Sequence, residues 1–234
     1  MSSSDWDDFK LCCYFRARKN DTIEVSPPRL AKDGVFCPSE AFVEAFPSLT
    51  ALLSKGRVTE FRVNDKEYQL YAWTGSDGDS IGWQCPTPDV KWDVTALHPD
   101  HRLLLTAFGG IKDHWDTCFN HWLENQETAL CAEDTQPGFL GWEDYYNERC
   151  EIENLHPATN PSDYRAFSLE ANGDCTVYHH RTGKILVFSH DPNSRFTHWE
   201  QLDGHPRRTL YTIKGCPDFR TWVETVTKQW LKAL

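Results

Sequence analysis

The chain is short of positive charge, and this absence disfavours one class of ligand at once. Against 35 acidic residues stand 24 basic ones, a net charge of −11 over 234 residues. A field of that sign repels phosphate backbones and disfavours nucleic acid, while it attracts a basic protein partner. Long apolar runs are missing as well. No window approaches the roughly 18 apolar residues of a membrane-spanning helix, so no membrane span is expected. The start, MSSSDWDDFKLCC, lacks a basic segment followed by an apolar core, so a secretory signal is not expected either. None of the nine cysteines forms a Cys-x-x-Cys pair. Without an export signal they read as reduced thiols of a cytoplasmic protein, most of them acting as small buried hydrophobes.

Catalytic signatures are also lacking. There is no Gly-x-Ser-x-Gly elbow, no Walker A loop and no dinucleotide fingerprint. Ser76 to Ser80 begins like a calcium loop, with Asp77, Asp79 and Gly82 in step. It fails at Ile81, where a polar ligand belongs, and at Pro88, where the closing glutamate belongs. Glu143 and Asp144 are sequence neighbours that diverge on a helix, unlike the converging carboxylates of a glycosidase. Gly204 to Arg208, GHPRR, reads as an exposed turn. No cofactor is implied.

What is present is aromatic bulk: 10 Trp, 13 Phe and 8 Tyr, enough for a substantial core. Residues 6–25 read as a strand region, and SPPRLAKDG as a loop. Ser39 is placed to cap a helix over EAFVEAF, with Phe42, Val43 and Phe46 on one face, and Pro47 restarts the chain into SLTALLSKG. RVTEFRVNDKEYQLYAW alternates as a hairpin turning at Asn64-Asp65. Its return strand puts Tyr68, Leu70 and Ala72 on one face and Gln69, Tyr71 and Trp73 on the other. TGSDGDSIGWQCPTPD reads as a long loop. Pro99 suits the first turn of a helix that carries Leu103, Leu104 and Ala107 inward, and Gly109 with Gly110 can end that helix by supplying positive φ. GWEDYYNERCEIENL, residues 141–155, reads as a short helix. The last segment places Phe219, Trp222, Val223, Val226, Trp230 and Leu231 on one helical stripe, with Asp218 as its cap. Trp115, Trp122, Trp222 and Trp230 read as core, whereas Trp73 and Trp83 flank the Gly/Asp loop and could be exposed for recognition.

The stretch EANGDCTVYHHRTGKILVFSHD, Glu170 to Asp191, gathers most of the ligand-type side chains. Asn172-Gly173 and Thr182-Gly183 are turn pairs, the first suited to a two-residue hairpin with Asp174 supporting it. Alternation puts Cys175, Val177 and His179 on one face and Thr176, Tyr178 and His180 on the other. A metal-assisted hydrolase using His179, His190 and Asp191 is the alternative to a purely structural meander. Adjacent His179 and His180 diverge in a strand, which works against a metal site.

HPDHRLLLTAFGGI resembles the helix-then-Gly-Gly segment of the SUKH superfamily through Pro99, Arg102, Leu104, Phe108, Gly109 and Gly110. Gly173, Asp174, Thr182, Gly183, His190 and Asp191 follow in the order of that family's strand–turn–strand motifs, and a terminal helix with Phe219 and Trp222 is similar. The superfamily includes bacterial immunity proteins for polymorphic toxins and a fungal regulator of cell-wall synthesis. The resemblance spans residues 96–234. It implies an α+β domain with a curved, mainly antiparallel sheet flanked by helices; residues 1–95, which many compact members lack, read as an α/β extension that can pack onto the same core. It also implies no enzymatic activity and a function by protein–protein contact. The expected partner is a basic toxin domain, often a nuclease; a regulatory interaction scaffold is the other family role. Trp73, Asp77, Asp79, Trp83, Tyr178 and His180 are the candidate recognition residues, since loops on a rigid scaffold commonly carry binding.

Overall fold

A computed structural model describes residues 4–12, 20–88, 94–115, 122, 126–191 and 198–234. The architecture is α+β with antiparallel strands and flanking helices, but the strands divide between two open sheets instead of forming one. The first sheet holds β1 (Ile23–Val25), β2 (Arg29–Leu30), β3 (Arg57–Val63), β4 (Lys66–Thr74), β5 (Ser80–Pro86) and β6 (Asp113–Trp115). Its order is β1-β3-β4-β5-β6, with β2 also paired to β3. The second holds β7 (Gln126–Ala129), β8 (Gln136–Pro137), β9 (Tyr164–Glu170), β10 (Cys175–His179), β11 (Ile185–Phe188), β12 (Trp199–Gln201) and β13 (Leu210–Ile213). Its order is β12-β13-β11-β10-β9-β7, with β8 on β9. The helices are α1 (Asp5–Cys12), α2 (Glu40–Ala45), α3 (Pro47–Ser54), α4 (Pro99–Leu105), α5 (Glu143–Ile152) and α6 (Phe219–Ala233).

Backbone hydrogen bonds join the two sheets at Ile111 and Lys112. Ile111 exchanges both backbone hydrogen bonds with Ala129 of β7, at 2.7 and 2.8 Å, and the next residue, Lys112, donates to Gln84 O of β5 at 2.7 Å. Two consecutive residues therefore belong to different sheets. Gly109 and Gly110 lead into this seam. A Cβ on Gly109 would lie 1.9 Å from Pro86 O, and one on Gly110 2.6 Å from Cys131 N, with Gly110 at φ +96°. The pair does not end α4, which closes at Thr106 in a right-handed conformation. It is there because the backbone passes between β5 and the Leu130–Cys131 segment with no space for a side chain.

Helix α6 lies across this junction. Its early residues pack on the second sheet, Phe219 and Trp222 against Phe167 at 5.3 and 5.0 Å. Its late residue Trp230 packs on the first, 5.8 Å from Trp73 and 5.0 Å from Trp83. One continuous core runs from Ala31 to Ala233 through both sheets, and each large aromatic buried there contributes roughly 2–3 kcal/mol. The division at 95/96 does not follow the sheets, since β6 belongs with the strands that precede it. Asp218 Oδ1 caps α6 by accepting from Thr221 N at 2.8 Å. Glu224, on the same helix, accepts from Ser48 N and Leu49 N of α3. It supplies the N-terminal cap that Phe46, in the capping position, cannot.

Both faces of β4 are covered, which explains why both are apolar. Leu70 and Ala72 meet Phe9 of α1 in a small separate core, while Tyr71 and Trp73 enter the main one. Three expectations need correction. Residues 5–12 are helical where a strand region was expected, because Asp5 forms a two-point ion pair with Arg57 and the Trp6 and Phe9 rings pack on Phe61; Tyr14 and Phe15 lie outside the described residues. The long loop after Trp73 shrinks to a turn, because Ser80–Pro86 is recruited between β4 and β6. Val43 is 41% exposed and does not share the buried face of Phe42 and Phe46.

Gly110→Ala is expected to cost about 3 kcal/mol or more, from positive-φ strain together with the backbone clash. Gly34→Ala, at φ +90° with nothing within 4 Å of its Cβ, is expected to cost about 1 kcal/mol. Urea unfolding midpoints separate the two, and equal losses would show that the seam is not tight.

Candidate functional site

The histidines of the C-terminal meander do not converge. Strands β10 and β11 are antiparallel, with Cys175 opposite Phe188 and Tyr178 opposite Ile185. His190 thus lies past the Cys175 end, bonded to Asp174, and His179 five residues further along, about 16 Å away at a strand's rise per residue. His179 and His180 do not diverge as expected. The strand stops at His179, and the two rings stack at 5.4 Å and 11°. His180 is fixed by Asp163 O, at 2.8 Å from both its backbone N and its Nδ1. The His179, His190 and Asp191 arrangement of a metal-assisted hydrolase is not assembled. Among the described residues no group of three His, Cys, Asp or Glu side chains could hold a metal ion.

His190 belongs to a different cluster, built on Asp174. The Asp174 side chain is 1% exposed and accepts from Ser189 Oγ at 2.7 Å, Asn172 Nδ2 at 3.0 Å and His190 N at 3.1 Å, and lies 2.9 Å from His190 Nδ1. The His190 ring stacks on Trp142 at 4.6 Å and 15°, and Trp142 Nε1 donates to Gly173 O at 2.9 Å. The connection is longer than a two-residue hairpin: β9 ends at Glu170, β10 starts at Cys175, and only Gly173 has positive φ, at +89°. Asp174 thereby ties the first turn to the end of β11 and, through Trp142, to the start of α5. At the second turn Gly183, φ +70°, accepts at its carbonyl from Phe219 N at 3.0 Å, and its Cα faces the His98 ring. Thr182 is exposed and its Oγ1 accepts from Lys184 N at 3.4 Å.

A third cluster links α4 to β10. His101 is fully buried, with Nδ1 3.0 Å from Tyr178 Oη and Nε2 2.9 Å from Leu130 O. The Leu130 carbonyl requires a proton on Nε2, which leaves Nδ1 of the neutral ring to accept from the Tyr178 hydroxyl. Burial pushes the His101 pKa down to about 4, against the opposing pull of the Leu130 carbonyl. Burial likewise drives the Tyr178 hydroxyl well above its ordinary range.

The expected recognition residues are therefore scattered. Trp73, Trp83 and Tyr178 are 2%, 1% and 0% exposed and present nothing to a partner. They were misjudged because Ser80–Pro86 forms a strand and α6 covers it. Asp77 and Asp79 are exposed on the β4–β5 turn, where Asp79 N donates to Asp77 Oδ1 at 3.1 Å. His180 is half-buried at the opposite end of α6 from that turn.

A concavity that the sequence did not single out lies at the seam. It is a cleft of about 280 Å³ between the tip of the β3–β4 hairpin and the turn after Leu130. Asp65, Glu67 and Glu133 bring carboxylates to it; Tyr68, Pro86 and Leu105 give it apolar walls. Behind it, Lys112 Nζ sits 2.8 Å from both Asp134 oxygens and 3.0 Å from Glu133 Oε1. Burial opposes the charge on Lys112, but these carboxylates outweigh it and raise the Lys112 pKa. Thr128 Oγ1 also donates to Asp134, at 2.7 Å. In the sequence, Asn64 to Glu67 reads only as a hairpin turn; nothing local signals that Glu133 faces it.

Comparison of the chain with family models, with curated proteins and with solved structures finds no match.

His101 generates a pH dependence. Its folded pKa lies below the ordinary 6.5, so the unfolded chain takes up a proton first. The stability held by the neutral ring is whole above pH 6.5 and declines as pH falls toward 4, by about 3 kcal/mol in all. His101→Gln, which cannot titrate there, is expected to flatten the fall in urea midpoint between pH 7 and 4.5. Asp174→Ala is expected to cost about 3 kcal/mol at pH 7, since it leaves Ser189 and His190 donors without an acceptor. Calorimetric unfolding with a loss under about 1 kcal/mol would contradict the bracing role.

Proposed function

We propose that the chain is a cytoplasmic, non-enzymatic binding module that acts by holding a basic protein partner, in the manner of the immunity proteins its motifs resemble. One observation carries the reading: His101, His190 and the buried Asp174 carboxylate are engaged in bracing the fold. Asp174 is filled by four donors from its own chain, and His101 is held between Tyr178 and Leu130. The negative charge, meanwhile, is in excess by 11. Such a surface accelerates encounter with a cationic partner and suppresses wrong ones.

The motif residues of the resemblance support the same reading through their positions. Gly109 and Gly110 line the seam, Gly183 anchors Phe219 of α6, and Asp174 holds His190. These are roles in keeping a scaffold rigid, consistent with function by contact. A toxin domain, nucleases being commonly basic, fits the charge. The hydrolase alternative has no comparable support, because its three residues lie at opposite ends of the meander.

Co-expression with any toxin domains encoded beside its gene is the decisive assay. Growth of the host is expected to be restored by one of them, and calorimetry on that pair is expected to give an affinity that weakens as salt rises from 50 to 500 mM. Failure to rescue against every such domain, with no binding heat, sinks the immunity reading.

A further inference from the structure

We propose that the cleft at the seam receives a lysine or arginine side chain of the partner; this rests on the binding-module reading and names its docking point. The cavity, about 280 Å³, falls at or below the range of small-molecule sites, roughly 300–1,000 Å³. It suits one long side chain better than a metabolite. Its chemistry is divided as such a side chain is divided. Tyr68, Pro86 and Leu105 offer apolar wall to an aliphatic stem, and Asp65, Glu67 and Glu133 offer carboxylates to a cationic head.

The cleft already takes a cation from its own chain. Lys66, on the hairpin tip, reaches Glu133 Oε2 at 3.6 Å with 69% of its side chain exposed. That separation is beyond hydrogen-bonding range and the side chain is solvated, so the contact is weak. Lys112, by contrast, is held tightly behind the wall by Asp134 and by the other Glu133 oxygen. One Glu133 oxygen is thus firmly engaged and the other only loosely met. An incoming guanidinium or ammonium displaces Lys66, gains Glu133, and adds Asp65 and Glu67, both exposed. The site needs little reorganisation, because Gly109 and Cys131 of its lining are part of the tight passage between the sheets.

The probe is a hexa-arginine peptide titrated into the full chain at low salt, followed by calorimetry and backbone amide resonances, with hexa-glutamate as the control. The largest shifts are expected at Tyr68, Thr87 and Ala132. The double variant Asp65→Asn/Glu67→Gln is expected to weaken binding about fivefold or more. Lys66→Ala is expected to tighten it by a few-fold, beyond any gain from Lys55→Ala, which removes the same charge from an exposed position elsewhere. Asp77→Asn/Asp79→Asn, which removes as much negative charge from the β4–β5 turn, is expected to leave the affinity within about twofold. If the two double variants weaken binding equally, or if Lys66→Ala and Lys55→Ala act alike, attraction is spread over the surface. The cleft proposal is then overturned while the basic-partner reading stands. No binding of hexa-arginine overturns the cleft as well, and the growth assay decides the broader reading independently.

Discussion

At residues 109 and 110 the backbone threads between two walls of main chain, and the rest of the architecture depends on that passage. Pro86 O lies where a Cβ of Gly109 would be, and Leu130 and Cys131 lie where a Cβ of Gly110 would be. Only a chain with no side chain on either residue brings Ile111 onto β7 and Lys112 onto β5 at once. The two sheets then share an edge and α6 can lie across both, burying Trp222 on one side and Trp230 on the other. The cleft is a by-product of the same contact: where two sheets are pinned at Ile111 and Lys112, their neighbouring turns stand slightly apart.

Polar groups inside the molecule follow one pattern. Asp174, His101, Glu224 and Asp218 each satisfy donors or acceptors that would otherwise be stranded at a turn or a helix end. Leaving such groups unpaired costs more than the bonds themselves contribute. The clusters therefore hold elements in register.

Local pattern carried far along the chain where one element decides its own form. Ser39 and Asp218 cap the helices they precede, Pro47 and Pro99 sit in first turns, and the 57–74 alternation sorts its residues onto two faces. It misled where a partner decides. Ser80–Pro86, rich in turn formers at its start, becomes a strand because β4 and β6 flank it. Residues 5–12 coil because Asp5 finds Arg57 fifty-two positions away. The tryptophans beside the Gly/Asp loop were legible as aromatic mass but not as buried mass. Their exposure depends on where α6 lands, more than a hundred residues later.

The α+β class was what the family resemblance implied, while composition and spacing alone settled the excess of negative charge and the caps and turns of individual helices and hairpins. These follow from backbone dihedral preferences and from counts of charge, which need no partner in space. Tertiary structure alone decided that two glycines serve close approach and not a helix end, that His190 answers to Asp174 and not to His179, and that Asp65, Glu67 and Glu133 line one cleft. Such matters turn on distances between residues far apart in sequence, and those distances exist only once the sheets have met.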